Sequence, residues 1–235
     1  MTLERQQKMD LFAPLDLYCE RTDAQFLSEP LNLISNLAFI LAGALLLKQL
    51  KTAGPSPIAA PARILSWQVI VVGIGSALFH SFANGWSKIC DVIPIGLFIL
   101  SYLWLFCRKI AVIGRIYSAF ALTAFGVLSL TIASLADHAR SNGGQFYFGT
   151  WMTLVCLAFY FAGRGDPSTW KKMLAASILF SLSITMRTID LTICDTWPYG
   201  THEFWHLFNA AVLYLVVKSF IEAPQITINA RTRKG

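Results

Sequence analysis

Charge is scarce in this chain. Only 14% of its 235 residues are Asp, Glu, Lys or Arg, where an ordinary soluble domain carries about a quarter, so a freely soluble globular domain is excluded. No P-loop string, dinucleotide-binding glycine fingerprint or repeat of fixed period occurs, which removes the nucleotide-binding and solenoid readings. The first 29 residues hold no apolar core of the kind a signal peptide needs, so the first long apolar run is expected to act as the insertion signal itself. Histidine is rare, with four in the whole chain.

Apolar residues make up the deficit, at 55% of the composition with a mean hydropathy of +0.56. Runs of about 20 such residues, enough to cross a bilayer as a helix, are predicted near 30–50, 63–83, 89–107, 115–136, 145–163, 171–191 and 201–221. The expected fold class is an all-α membrane protein: a seven-transmembrane-helix bundle over 30–221, preceded by a polar acidic segment (1–29) and followed by a basic tail (222–235). Lys and Arg collect on the cytoplasmic side of membrane helices, and 13 of the 19 basic residues follow the first, third, fifth and seventh runs. The N-terminus is therefore expected outside or in a lumen and the C-terminus in the cytoplasm. The net charge of +6 reads as a topology signal and implies no nucleic-acid partner; no protein partner is implied either.

Three of the four histidines, His80, His202 and His206, fall at the non-cytoplasmic end of this arrangement, together with Ser76 and Asp91. Ionisable groups inside a bilayer are costly, so such a cluster marks a functional site. Ser76 and His80 are four residues apart on one helix, as are His202 and His206 in the string HEFWH, and that spacing puts each pair on one helix face. Asp91 is expected in the first turn of the third span. Three imidazoles with one open position make a catalytic zinc site, in which water is acidified to a pKa of about 7. Asp91, not needed as a ligand, is then placed to move a proton, and Ser76 to steady an oxyanion. That combination describes hydrolysis of an amide or ester, with a lipid entering sideways from the membrane as substrate.

Plainer roles exist for each residue. A single histidine at a helix end can be an interfacial side chain, Ser76 can bond back to its own helix, and Asp91 can cap the dipole of the third span. Arg187 and Asp190, three apart, can pair with each other. HEFWH also satisfies the zinc-protease pattern HExxH with Glu203 as the base, although Glu203 lies about 100 degrees round the helix from His202. The sixth span is expected to be capped at Ser168 or Thr169. Cys107 and Cys156 fall in apolar runs, and Cys90 is expected to pack.

GIGSALFHSFANGWSKICDVIPI, with its SxxxH and an aspartate eleven residues after the histidine, resembles the core motif of the alkaline ceramidases. HEFWHLFNAAVLYL, YCE and EPLNLISNLAF resemble three further segments of that family, part of a superfamily of seven-helix membrane hydrolases that also holds adiponectin-type receptors. The resemblance implies zinc on His80, His202 and His206, catalytic roles for Asp91 and Ser76, and cleavage of ceramide to a sphingoid base and a fatty acid, making the chain a hydrolase of linear amides. It also pairs Cys19 with Cys194 in a disulfide, on the side of the membrane where disulfides persist. In animal members a calcium ion sits in the N-terminal segment, held by carboxylates and carbonyls as a hard cation requires. Glu20 and Glu29 match that pattern and Asp16 and Asp23 are the further candidates, although Leu17 replaces the aspartate expected before YCE; a solvated acidic segment is the other reading. Rival functions are hydrolysis of another lipid amide or ester, or a receptor or lipid-binding protein with a non-catalytic metal. Asp91 beside three ligands favours an enzyme, since a structural site has no use for a base.

Overall fold

The computed structural model describes residues 10–135 and 141–223, so the basic tail expected after 222 lies, past Ala223, outside the described residues. Helices α1 (Pro30–Ser35) and α2 (Leu37–Ala53) make the first span. The second is α3 (Ala59–Phe82) and the third α4 (Gly85–Leu105), extended by a π-helical turn at Phe106–Ile110. Then come α5 (Arg115–Leu135), α6 (Phe148–Gly163) with a 3-10 turn before it, α7 (Pro167–Ile189) with a 3-10 turn after it, and α8 (His202–Glu222). Seven helical segments are long and apolar enough to cross a membrane, and no strand forms among the described residues.

Burial shows how the spans are arranged. Half of the α3 span is buried against its neighbours, compared with 11% of the α5 span, so α3 is central and α5 lies at the edge. Ile116 and Phe120 of α5 stand open at 83% and 73% exposure, an arrangement that lipid tolerates and water would not. The buried core runs between α2, α3, α4, α6, α7 and α8.

Two helix starts differ from expectation, each for a local reason. Asn84 and Ser87 form a reciprocal capping box on α4, the Asn84 side chain accepting from Ser87 N at 3.1 Å and Ser87 Oγ accepting from Asn84 N at 3.0 Å. The helix therefore begins at Gly85, and Asp91 sits in its second turn, not the first, with no capping duty left to perform. On α7 the cap is Asp166, which accepts from Thr169 N at 3.0 Å, instead of Ser168 or Thr169. Pro167 explains the shift, because proline prefers the first helical position and places the cap one residue earlier.

Small residues let α3 and α4 approach closely. Gly75 lies on the backbone of Cys90, where a Cβ would overlap the Cys90 carbonyl. This contact sets the neighbouring Ser76 and Asp91 beside each other across the two helices. At the same end of the bundle, the N-terminal segment lies over the α3–α4 turn, with Leu15 N donating to Ala83 O at 2.7 Å, Trp86 N to Leu11 O at 3.0 Å and Leu27 N to Ser81 O at 3.2 Å. The Cys19–Cys194 disulfide ties it to the α7–α8 connection, joining the pair that the family resemblance implied. Gly75→Ala is expected to lower stability by about 2 kcal/mol through overpacking against a backbone that cannot yield. Thermal unfolding in detergent checks this, and an unchanged melting temperature would show that α3 and α4 can part without cost.

Candidate metal centre

Local structure brings the three histidines to one point. His80 lies in the last turn of α3, His202 is the first residue of α8 and His206 is one turn further on. All three are buried, and they offer ligand atoms that lie within 4.8 Å of one another. The start of α8 is held by Asp190, whose Oδ1 accepts from Thr201 N at 2.6 Å and His202 N at 3.0 Å while Oδ2 accepts from Cys19 N at 3.1 Å. Gly200 beside it has φ +72° and no room for a Cβ against the Asp190 carboxylate, so glycine is required there on both counts.

Hydrogen bonding decides which ring atoms remain free. His80 Nδ1 is 2.5 Å from Glu29 Oε2. An ionised carboxylate only accepts, so His80 carries its proton on Nδ1. His206 Nδ1 is 2.7 Å from Ser35 Oγ, which already donates to Asn32 O at 2.8 Å and therefore accepts from the ring. In the neutral rings both Nε2 atoms are consequently bare, and they face each other 3.1 Å apart. Two lone pairs do not attract, and a shared cation between them resolves the contact. His202 Nδ1 is buried with no hydrogen-bond partner, and its ring stacks on Tyr18 with centroids 3.6 Å apart. The donor set, three imidazoles of which two have their second nitrogen anchored by other side chains, fits a metal ion of the zinc class.

Ser76 and Asp91 join this cluster. Ser76 Oγ lies 3.4 Å from His206 Nε2, with the Asp91 carboxylate as its other polar neighbour. Ser76, Asp91 and His206 also line an apolar cavity whose walls reach Tyr102 on α4 and Val216 on α8. At 1.5 Å per helical residue, the wall from Asp91 to Tyr102 extends about 16 Å along α4. Glu203, the residue after His202 on α8, is not part of this group of possible ligands.

The acids expected around calcium take separate roles. Glu20 spends both oxygens capping α1, accepting from Leu31 N at 2.6 Å and Asn32 N at 2.8 Å. Asp23 accepts from Gln25 N at 2.9 Å and from the Ser28 hydroxyl, and Asp16 is exposed. Glu29 is held by Arg21, His80 and Asn32; burial alone would raise its pKa, but the bonds and charges of His80 and Arg21 hold it below the usual carboxylate value. Among the described residues these four acids form no group of three or more possible ligand atoms within 4.8 Å of one another. Arg187 and Asp190 likewise do not pair. Arg187 Nε donates to Asn142 O at 2.9 Å and its guanidinium lies over Trp205, Tyr18 and Tyr147 at 5.1, 5.5 and 5.9 Å, an aromatic cage that satisfies the charge by cation–π attraction.

The model of the Ceramidase family matches residues 17–231. The chain belongs to the ceramidase family. No curated protein matches it. For the ceramidase family, membership means a hydrolase acting on amide bonds, and the buried His80, His202 and His206 cluster can hold the metal ion that such a hydrolase uses. Sequence reasoning missed how this ceramidase-family site is supported: it offers Glu29 as a possible calcium ligand and Asp190 as a partner for Arg187, and assigns no separate role to Ser35 or Tyr18. A carboxylate and a hydroxyl at the start of the first span were the available signal, because ligating histidines need an oxygen partner on the other ring nitrogen. Glu29→Gln is expected to weaken metal binding by about 10- to 100-fold, read by competition with a coloured chelator. An affinity equal to wild type would mean that His80 needs no anchor.

Proposed function

We propose that this chain is a zinc-dependent intramembrane amidase that cleaves ceramide to a sphingoid base and a free fatty acid. The observation that carries this reading is the pair of bare Nε2 atoms of His80 and His206, 3.1 Å apart, where His206 lines an apolar cavity together with Ser76 and Asp91. His80, His206 and His202 would hold zinc, which supplies Lewis acidity toward an amide carbonyl and toward water. Glu29 and Ser35 fix the two rings, so no reorientation is needed when charge develops.

The remaining chemistry belongs to the side chains. Asp91 accepts the proton that water gives up as its oxygen adds to the carbonyl carbon, then delivers that proton to the amide nitrogen as the C–N bond breaks. Ser76 donates its hydroxyl hydrogen toward the carbonyl oxygen as negative charge grows there. The products are a carboxylic acid and an amine, and the proton lost by water is the one gained by nitrogen. The apolar cavity receives a lipid chain and keeps bulk water from the reacting amide. A long aliphatic amide fits such a wall better than a peptide, whose backbone groups would find no partners in it. The placement of basic residues in the sequence supports a site on the non-cytoplasmic face.

Metal content and fatty-acid release from a ceramide panel test the reading together. Wild type is expected to carry about one zinc, since three histidines form one site, and His206→Ala to lose both zinc and cleavage. Asp91→Asn should keep the metal and lose about 100- to 10,000-fold in kcat, the usual size of a general acid–base contribution. A zinc-loaded wild type that leaves every ceramide intact would remove the substrate assignment, and a metal-free wild type the whole mechanism.

A further inference from the structure

We propose that the Arg21 guanidinium is a built-in cation that takes the place of calcium in the N-terminal segment, so that the histidine end of this chain is assembled without that ion. Arg21 and Glu29 are 5% and 1% exposed. Arg21 Nε donates to Glu29 Oε1 at 2.6 Å, Nη1 to Asp23 O at 3.0 Å and Gln25 O at 3.3 Å, and Nη2 to His80 O at 3.5 Å. One carboxylate and three main-chain carbonyls, drawn from the N-terminal segment and from α3, form the oxygen set that a hard cation collects. Here a guanidinium fills it, with N–H groups fanned in a plane to reach oxygens in several directions. The carboxylate that would complete a calcium shell, Glu20, is committed to the α1 backbone, and a second cation beside a buried guanidinium would be repelled strongly.

This placement couples Arg21 to the metal centre by two routes. The guanidinium holds the carbonyl of His80 itself, and it orients Glu29, whose other oxygen fixes His80 Nδ1 at 2.5 Å. Arg21 is therefore a positioning residue for His80, and its removal would leave a buried carboxylate short of its countercharge. The inference concerns assembly and metal retention and does not depend on which lipid is cleaved.

The test uses the full-length zinc-loaded chain, with melting temperature and zinc affinity measured in calcium-free buffer and in millimolar calcium. Wild type is expected to show no change between the two buffers. Arg21→Ala should melt lower and hold zinc at least tenfold more weakly, as loss of a group supporting a ligand does, and calcium should recover part of both by entering the vacated oxygens. Arg21→Lys, which keeps the charge but loses the planar fork, should fall between and provides the comparison should the alanine variant not fold. A rise in the wild-type melting temperature with calcium would overturn the proposal. So would an Arg21→Ala or Arg21→Lys protein that matches wild type in melting temperature and zinc affinity, or a folded Arg21→Ala protein that calcium does not help. If ceramide cleavage is absent throughout while these shifts appear, the substrate assignment fails and the role of Arg21 stands.

Discussion

The short contact between Glu29 and His80 governs the histidine end of the bundle. A carboxylate that can only accept fixes where the imidazole proton sits, and the proton's location decides which nitrogen faces the other two rings. Without that contact His80 would have two tautomers and two ring orientations to choose from, and the lone pair opposite His206 would be one state among several. Arg21 stands behind Glu29 and Ser35 does the same duty for His206. The histidine cluster is thus arranged from the first span and the segment before it, although its imidazoles come from α3 and α8.

Asp190 supplies the second constraint. One carboxylate gathers three backbone N–H groups, from Cys19, Thr201 and His202, and so joins the N-terminal segment, the α7–α8 connection and the first turn of α8. The disulfide lies beside it and makes the same connection covalently. At the far end of the bundle the ties are lighter, chiefly Lys172 to Glu222 at 2.8 Å, a partly exposed pair of the kind that contributes little. The molecule is most heavily cross-linked where its buried charges are, as expected when charge in a low-dielectric setting must find partners.

The seven spans were legible because each carries its own signal: enough consecutive apolar residues to cross a bilayer. The histidine cluster was legible for a related reason, since rare polar residues at one predicted depth stand out against an apolar background. Helix starts were less so. Asp91 shifted by a turn because the Asn84–Ser87 box, a local pattern, outranked the apolar periodicity, and Asp166 took the cap on α7 because of Pro167. Longer-range partners could not be read at all. Arg187 and Asp190 look like a pair by spacing, yet the aromatic faces of Tyr18, Tyr147 and Trp205 and the N–H groups of α8 claim them separately. The acidic N-terminal segment was ambiguous for the same reason: spacing of carboxylates suggests a cation site, while Arg21, three residues after Tyr18 and next to Glu20 in the string YCER, donates to Glu29 and to the carbonyls of Asp23 and Gln25.

The order of the site's parts along the chain bears on when it can exist. Cys19 waits for Cys194, 175 residues later, and His80 waits for His202 and His206 on the last span. During synthesis from the N-terminus, six spans must be made before the third ligand or the covalent bridge can appear. On the proposed mechanism the nascent chain cannot act on lipid until its final helix supplies His202 and His206.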